Sequence, residues 1–206
     1  MKANQKFSKL ASNQIIEKTV NALERNGIKT FVAENGSEAK RKVVEMLPDG
    51  AEVLTMTSQT AEIVSLAKEI NESGKYNSVR QKLIAMDKST QGREMAKMGA
   101  APEFVVGSLH AVTEDGQLLI ASATGSQLPA ESYAAGKVIF VVGAQKIVKD
   151  TQEGLRRIYE YSYPLEDERA QKAYGMRSGV NKILIINKEM MPGRITIVFI
   201  KENLGF

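Results

Sequence analysis

Along residues 1–70 the apolar positions switch between a helical period and short β-rich runs. Ile16, Val20 and Leu23 recur at i, i+4, i+7, which predicts a helix within residues 1–25. Asn26-Gly27 ends it, because glycine suits the left-handed position that closes helices. Ile28 to Ala33 reads as a strand. A second helix begins at Asn35, with Glu38 at capping-box spacing and Ala39, Val43 and Met46 as its apolar stripe. Pro48-Asp49-Gly50 is a turn, and Ala51 to Met56 reads as the next strand. Thr57-Ser58-Gln59-Thr60 follows at once and opens a helix carrying Ile63, Leu66, Ala67 and Ile70. Such alternation predicts a parallel sheet covered by helices.

Residues 75–100 are mostly polar and helical in pattern, with Ser78 and Gln81 at capping-box spacing and Met95, Ala96 and Met98 as weak apolar positions. They read as a helical insert over one sheet edge, forming part of a lid. Strand-like runs then follow at Phe104 to Gly107 and Leu109 to Thr113. Asp115-Gly116 is a hairpin turn, since both residues tolerate positive φ, and Gln117 to Ala123 is the returning strand. Lys137 to Val142 is strongly apolar. Thr151 to Tyr161 and Pro164 to Tyr174 read as two helices, and Lys182 to Ile186 and Arg194 to Ile200 close the chain as strands. The expected fold class is α/β, a mainly parallel central sheet flanked by helices, in one domain over residues 1–206. Neither repeats nor low-complexity tracts interrupt it.

Composition narrows the chemistry. A chain of 206 residues can bury a full core without staples. The absence of cysteine excludes disulfides, thiolate catalysis, iron–sulfur clusters and cysteine zinc sites. His110 is the single histidine, so a multi-histidine metal site is excluded and no metal is expected. The net charge of +4 is spread along the chain; its densest run, Lys40-Arg41-Lys42, reads as a solvated helix face more readily than as a phosphate-binding patch. Nucleic-acid binding would require clustered cations with interleaved aromatics, and is not expected. Met1 to Leu10 lacks the apolar stretch of a secretory signal, and nothing approaches the ~20 apolar residues of a membrane span. A cytoplasmic protein without membrane contact is expected.

The segment Gly107-Ser108-Leu109-His110-Ala111-Val112-Thr113-Glu114-Asp115-Gly116 resembles the core of the LUD (lactate-utilisation) domain family. Leu118 to Gly125 and Lys137 to Val148 continue the resemblance, and Asn181 to Ile186, Pro192 to Val198 and Leu204-Gly205-Phe206 resemble the family's closing strands. The resemblance covers residues 103–206 well and residues 50–65 weakly. It implies a fold similar to glucosamine-phosphate isomerase, ribose-phosphate isomerase and CoA transferases. It also implies a bacterial-type role in the use of lactate or related organic acids. It names neither a catalytic residue nor a cofactor.

Three loops of small polar residues then become candidates for binding a small anionic metabolite. In the first, Thr57, Ser58 and Thr60 stand where a strand runs into a helix, a geometry that offers free N–H groups to anions. Plain N-capping by Ser58 explains the same residues, and the lack of glycine between Gly50 and Gly74 departs from the phosphate loops of sugar isomerases. The second is Glu114, either a solvated hairpin tip or, by analogy with CoA transferases and isomerases, a nucleophile or base. The third holds Ser122, Gly125 and Ser126, where small side chains let a ligand approach the backbone. Arg194 and Lys146 are the candidate cations; Arg194 reads equally as a salt-bridge partner. His110 among apolar neighbours reads as structural before catalytic. Tyr159, Tyr161 and Tyr163 read as packing residues. Besides metabolite binding, two rivals stand: a CoA-transferase-like or sugar-phosphate-isomerase-like enzyme using Glu114, and a non-catalytic subunit docking an iron–sulfur or other redox protein. Residues 1–45 read equally as the dimerisation element of a homo-oligomer.

Overall fold

Two sheets share one apolar layer in the computed structural model, which describes residues 2–206. The strands are β1 (Lys29–Ala33), β2 (Glu52–Thr55), β3 (Asn77–Ser78), β4 (Phe104–Gly107), β5 (Ala111–Thr113), β6 (Leu118–Ser122), β7 (Lys137–Gly143), β8 (Ile147–Val148), β9 (Lys182–Ile186) and β10 (Ile195–Ile200). The central sheet has six strands, all parallel, in the order β1-β10-β7-β4-β2-β3. A second sheet of four strands runs β8-β5-β6-β9, with β5 antiparallel to β6 and parallel to β8.

Side-chain alternation sorts the core into layers. In the central strands Val138, Phe140, Val142, Ile195, Ile197 and Phe199 join the layer shared with Leu118 and Ile120 of the second sheet. Ile139, Val141, Val198 and Ile200 face the opposite way. There they pack with α2 (Gly36–Glu45) through Ala39 and Val43, with Ala61 of α3 (Gln59–Ile63), and with Leu66 and Ile70 of α4 (Leu66–Glu72). Both faces of β7 and β10 are therefore dry, which is why these strands read as unbroken apolar runs. Each large apolar side chain so buried contributes about 1.5–3 kcal/mol. Leu119 and Ala121 form an outer layer with Ile158, Tyr161 and Phe7.

The observed elements depart from the sequence pattern in instructive places. The N-terminal helix, α1 (Asn13–Arg25), starts only at the Ser12 cap; Gln5–Ser8 is a separate 3-10 turn anchored by buried Phe7. The helix expected after Thr57 is broken between α3 and α4, where Ser65 takes φ 58°. Leu66 and Ile70 stay buried while Ile63 is 56% exposed, so the four apolar positions never formed one stripe. The insert contains the short edge strand β3 ahead of α5 (Val79–Ala85) and α6 (Lys88–Ala100). Val79 is wholly buried, and Leu83 and Met98 pack against the shared layer. Residues 151–174 form one continuous helical run: α7 (Thr151–Arg157), a π turn (Ile158–Ser162) and α8 (Tyr163–Tyr174). Pro164 has no N–H for the carbonyl of Glu160, and that carbonyl accepts from the N–H of Asn4 at 2.8 Å instead. No helix among the described residues is long and apolar enough to cross a membrane.

Candidate functional site

The chain passes twice from the central sheet to the second sheet, side by side. After β4 it crosses through Ser108-Leu109-His110 into β5; after β7 it crosses through a 3-10 turn (Ala144–Lys146) into β8, which pairs with β5. This seam lies at the C-terminal ends of parallel strands, where open α/β sheets bind ligands.

Lys146 stands at the seam with 1% of its surface exposed. Its ammonium lies within hydrogen-bond distance of the hydroxyls of Thr60 (3.2 Å) and Ser108 (3.1 Å), the carbonyl of Leu109 and a main-chain oxygen of Phe206 (both 3.1 Å), which share its three N–H donors. Burial, with the nearby charge of Arg157, pushes its pKa well below the usual lysine range. Arg157 arrives from the end of α7 and is fully buried. One of its terminal nitrogens, Nη1, donates to the carbonyl of His110 and to Ser162 Oγ (3.0 Å), and the guanidinium lies 5.0 Å from the centre of the Tyr161 ring. Its Nε and Nη2 have no hydrogen-bond partner. Burial lowers its pKa to about 10. Among the described residues neither cation has an aspartate or glutamate side chain at ion-pair distance.

His110 completes the group. Its Nδ1 accepts from the N–H of Ala121 at 3.1 Å, so the ring proton sits on Nε2. Burial first, then the charges of Lys146 and Arg157, push its pKa down to about 3. The imidazole is neutral across the physiological range and can donate one hydrogen bond. Ser108 and His110 are half-buried and open the cluster to the outside.

The cluster is roofed by two segments near the chain's ends. Leu204 O accepts from Thr60 Oγ1 (3.0 Å) and Gln145 Nε2 (2.9 Å), and Gly205 O also accepts from Gln145 Nε2 (3.2 Å). Asn203 reaches the carbonyl of Ser8 at 2.8 Å, tying the roof together. Gly205 has φ 65°, and a Cβ there would stand 2.4 Å from Thr60 Oγ1. Gly205→Ala should therefore lift the closing segment and destabilise the fold by about 1–3 kcal/mol. Urea unfolding checks this, and an unchanged midpoint would count against the tight seat. Beyond Leu204 lies an open cleft of about 580 Å³, flanked by Ser37, Lys40, Arg41 and Ile63. Two members of the basic run thus border the cleft, while Lys42 lies over the Phe31 ring.

The structure brings some of the sequence candidates together and separates others. Thr60 belongs to the Lys146 cluster. Ser58 caps α3 through the N–H of Ala61, and exposed Thr57 accepts from Arg80. Ser122 follows Ala121 directly, and its hydroxyl accepts from the N–H of Gly125 at 2.8 Å; Ser126 bonds with Thr124. This third loop borders the cluster on the His110 side. Glu114 lies elsewhere, paired with Lys18 at 2.6 Å. Its hairpin is held by Asn26 Nδ2 against the C-terminal end of α1, toward the opposite end of the sheet. Arg194 is spent on Glu189 and on the carbonyls of Glu131 and Ser132. Tyr161 is buried beneath Arg157, Tyr159 is exposed and Tyr163 half-buried. Arg157 was missed as a candidate. Its signal is spacing: Gly154, Arg157, Ile158 and Tyr161 fall at i, i+3, i+4, i+7, which puts the arginine on an inward stripe.

The family model described as LUD domain matches residues 16–200. Among solved structures, a DUF162 family protein from Deinococcus radiodurans is similar at 12% identity, over 93% of this chain and 99% of that one, with a TM-score of 0.58. At that identity the likeness concerns fold alone. eIF2B delta from Chaetomium thermophilum is similar at 14% identity over 69% of this chain and 54% of that one, with a TM-score of 0.35, too low to bear on function. No curated protein matches the sequence.

Proposed function

The chain belongs to the LUD domain family, and from that premise we propose that it binds a small anionic metabolite, lactate or a related short carboxylate, at the seam around Lys146. The observation that carries this reading is a wholly buried ammonium with four oxygen partners, none of them an acidic side chain. Burying a cation without an anion is costly, and a ligand carboxylate offsets that cost. Ser108 and neutral His110 supply further donors at the half-buried side. A role in organic-acid utilisation follows from the family premise. Glu114, ion-paired to Lys18 away from this cluster, has no comparable support as a nucleophile.

A ligand that binds only the native state raises the melting temperature; at a concentration of about 100 Kd the gain is roughly 2.7 kcal/mol. Lactate, pyruvate or another short carboxylate is expected to produce such a shift in the wild-type protein. Lys146→Met keeps most of the side-chain volume and removes the charge, so the shift should vanish. Circular dichroism of the variant verifies that the fold survives. An equal shift in folded Lys146→Met protein would sink the proposed site.

A further inference from the structure

A second cation at the seam remains unaccounted for by a ligand with one carboxylate. Arg157 is fully buried, and its bonds are unevenly distributed. Nη1 is engaged twice, by the His110 carbonyl and by Ser162, and the Tyr161 ring lies against the guanidinium. The Nε and Nη2 atoms have no partner at all. These two nitrogens form the side edge of the guanidinium, the edge that grips a carboxylate in two parallel hydrogen bonds. Buried polar atoms left without partners are rare in native proteins, and an absent ligand is one of the standard reasons for them.

The two cations are also linked in space. Lys146 donates to the carbonyl of Leu109 and Arg157 to the carbonyl of His110, consecutive residues of the same crossover. The two carbonyls they bond to are one peptide unit apart, and each cation is fixed by its own bonds. A monocarboxylate neutralises one of them. A short dicarboxylate has a charged group for each.

We propose, resting on the anion reading above, that the free Nε/Nη2 edge of Arg157 binds a second carboxylate, so that the preferred ligand is a three- or four-carbon dicarboxylate. The roof does not forbid entry. Of residues 2–12 only Phe7 is buried, and the closing segment is held mainly by hydrogen bonds to Thr60, Gln145 and Lys146. Segments with so few buried contacts open at low cost.

Thermal-shift titration of the full chain at matched ionic strength tests this, with acetate and lactate against malonate and succinate. A bidentate, charge-assisted pair is worth enough for the dicarboxylates to act at about tenfold lower concentration or less. Arg157→Lys keeps a cation but loses the planar fork. It is expected to erase that advantage, so that malonate and succinate act no better than lactate on the variant. Equal potency of the two ligand classes in the wild-type protein overturns the proposal while the monocarboxylate reading stands. A dicarboxylate advantage that survives in Arg157→Lys overturns the role of Arg157. No shift with any of the four overturns both readings. The wild-type comparison decides even if the variant does not fold.

Discussion

Glu131→Gln is expected to stabilise the fold by an amount that grows as pH rises from about 4.5 to about 8. Glu131 lies in a π turn (Ala130–Ala134) with 1% of its surface exposed, and its Oε2 has no hydrogen-bond partner. Burial pushes its pKa up from 4.5 to about 8. Below the lower value both folded and unfolded chains hold the proton, and the group contributes no pH dependence. Between the two values the unfolded chain has released its proton while the folded chain keeps it, so stability declines as pH rises. The slope is about 1.4 kcal/mol per pH unit, and the whole window amounts to roughly 5 kcal/mol. Glutamine keeps the shape of the protonated acid and has no proton to lose. Urea unfolding of both proteins at about pH 5, 7 and 9 should show the variant pulling ahead. His110 titrates identically in both proteins, so its effect cancels in the difference. Parallel stability curves would mean that Glu131 finds a counter-charge or water.

Arg194→Ala should cost about 3–5 kcal/mol, the penalty for breaking a buried ion pair from one side. The side chains of Arg194 and Glu189 are 4% and 7% exposed and meet at 2.7 Å. Glu189 also accepts the N–H of Met191, while Arg194 Nη2 donates to the carbonyls of Glu131 and Ser132 at 3.0 and 3.1 Å. Removing the guanidinium leaves a buried carboxylate without its cation and the carbonyls of the π turn without a donor. The turn before β10 and the π turn before β7 would lose their tie. Chemical denaturation reads the loss directly, and Glu189→Gln provides the control. If Arg194 were a ligand-binding cation instead, its removal would leave the unfolding midpoint nearly unchanged and weaken anion binding.

Glu114 and Arg194, two of the charged candidates, are both engaged elsewhere for one reason. Glu114 and Arg194 are prominent in the sequence as charges beside glycines, and a charge beside a turn suggests a site. Whether such a charge is free depends on what another part of the chain brings to it. Lys18, 96 positions away, neutralises Glu114. The π turn brings the carbonyls that occupy Arg194. Lys146 shows the converse. It looks like one lysine after an apolar strand, yet it meets Thr60, 86 positions away, and Phe206, 60 away, with no acidic side chain among its partners.

By itself the sequence determined the α/β class and most of the strands. Those signals are local: period-2 and unbroken apolar runs over Phe104–Gly107, Lys137–Gly143 and Lys182–Ile186, and turn residues such as Gly116, which takes φ 87°. Capping at Asn35, Ser58 and Ser78 was legible too, since a cap involves residues three apart. The family was legible because the order and spacing of its segments survive in one chain. Tertiary structure alone decided that β5, β6, β8 and β9 leave the central sheet to form their own, since strand order depends on contacts far apart in sequence. It also decided that Thr60, Ser108, His110, Lys146 and Arg157 share one seam. Burial and pairing of a charged side chain are set by what the fold carries to it, and no periodicity along the chain records that.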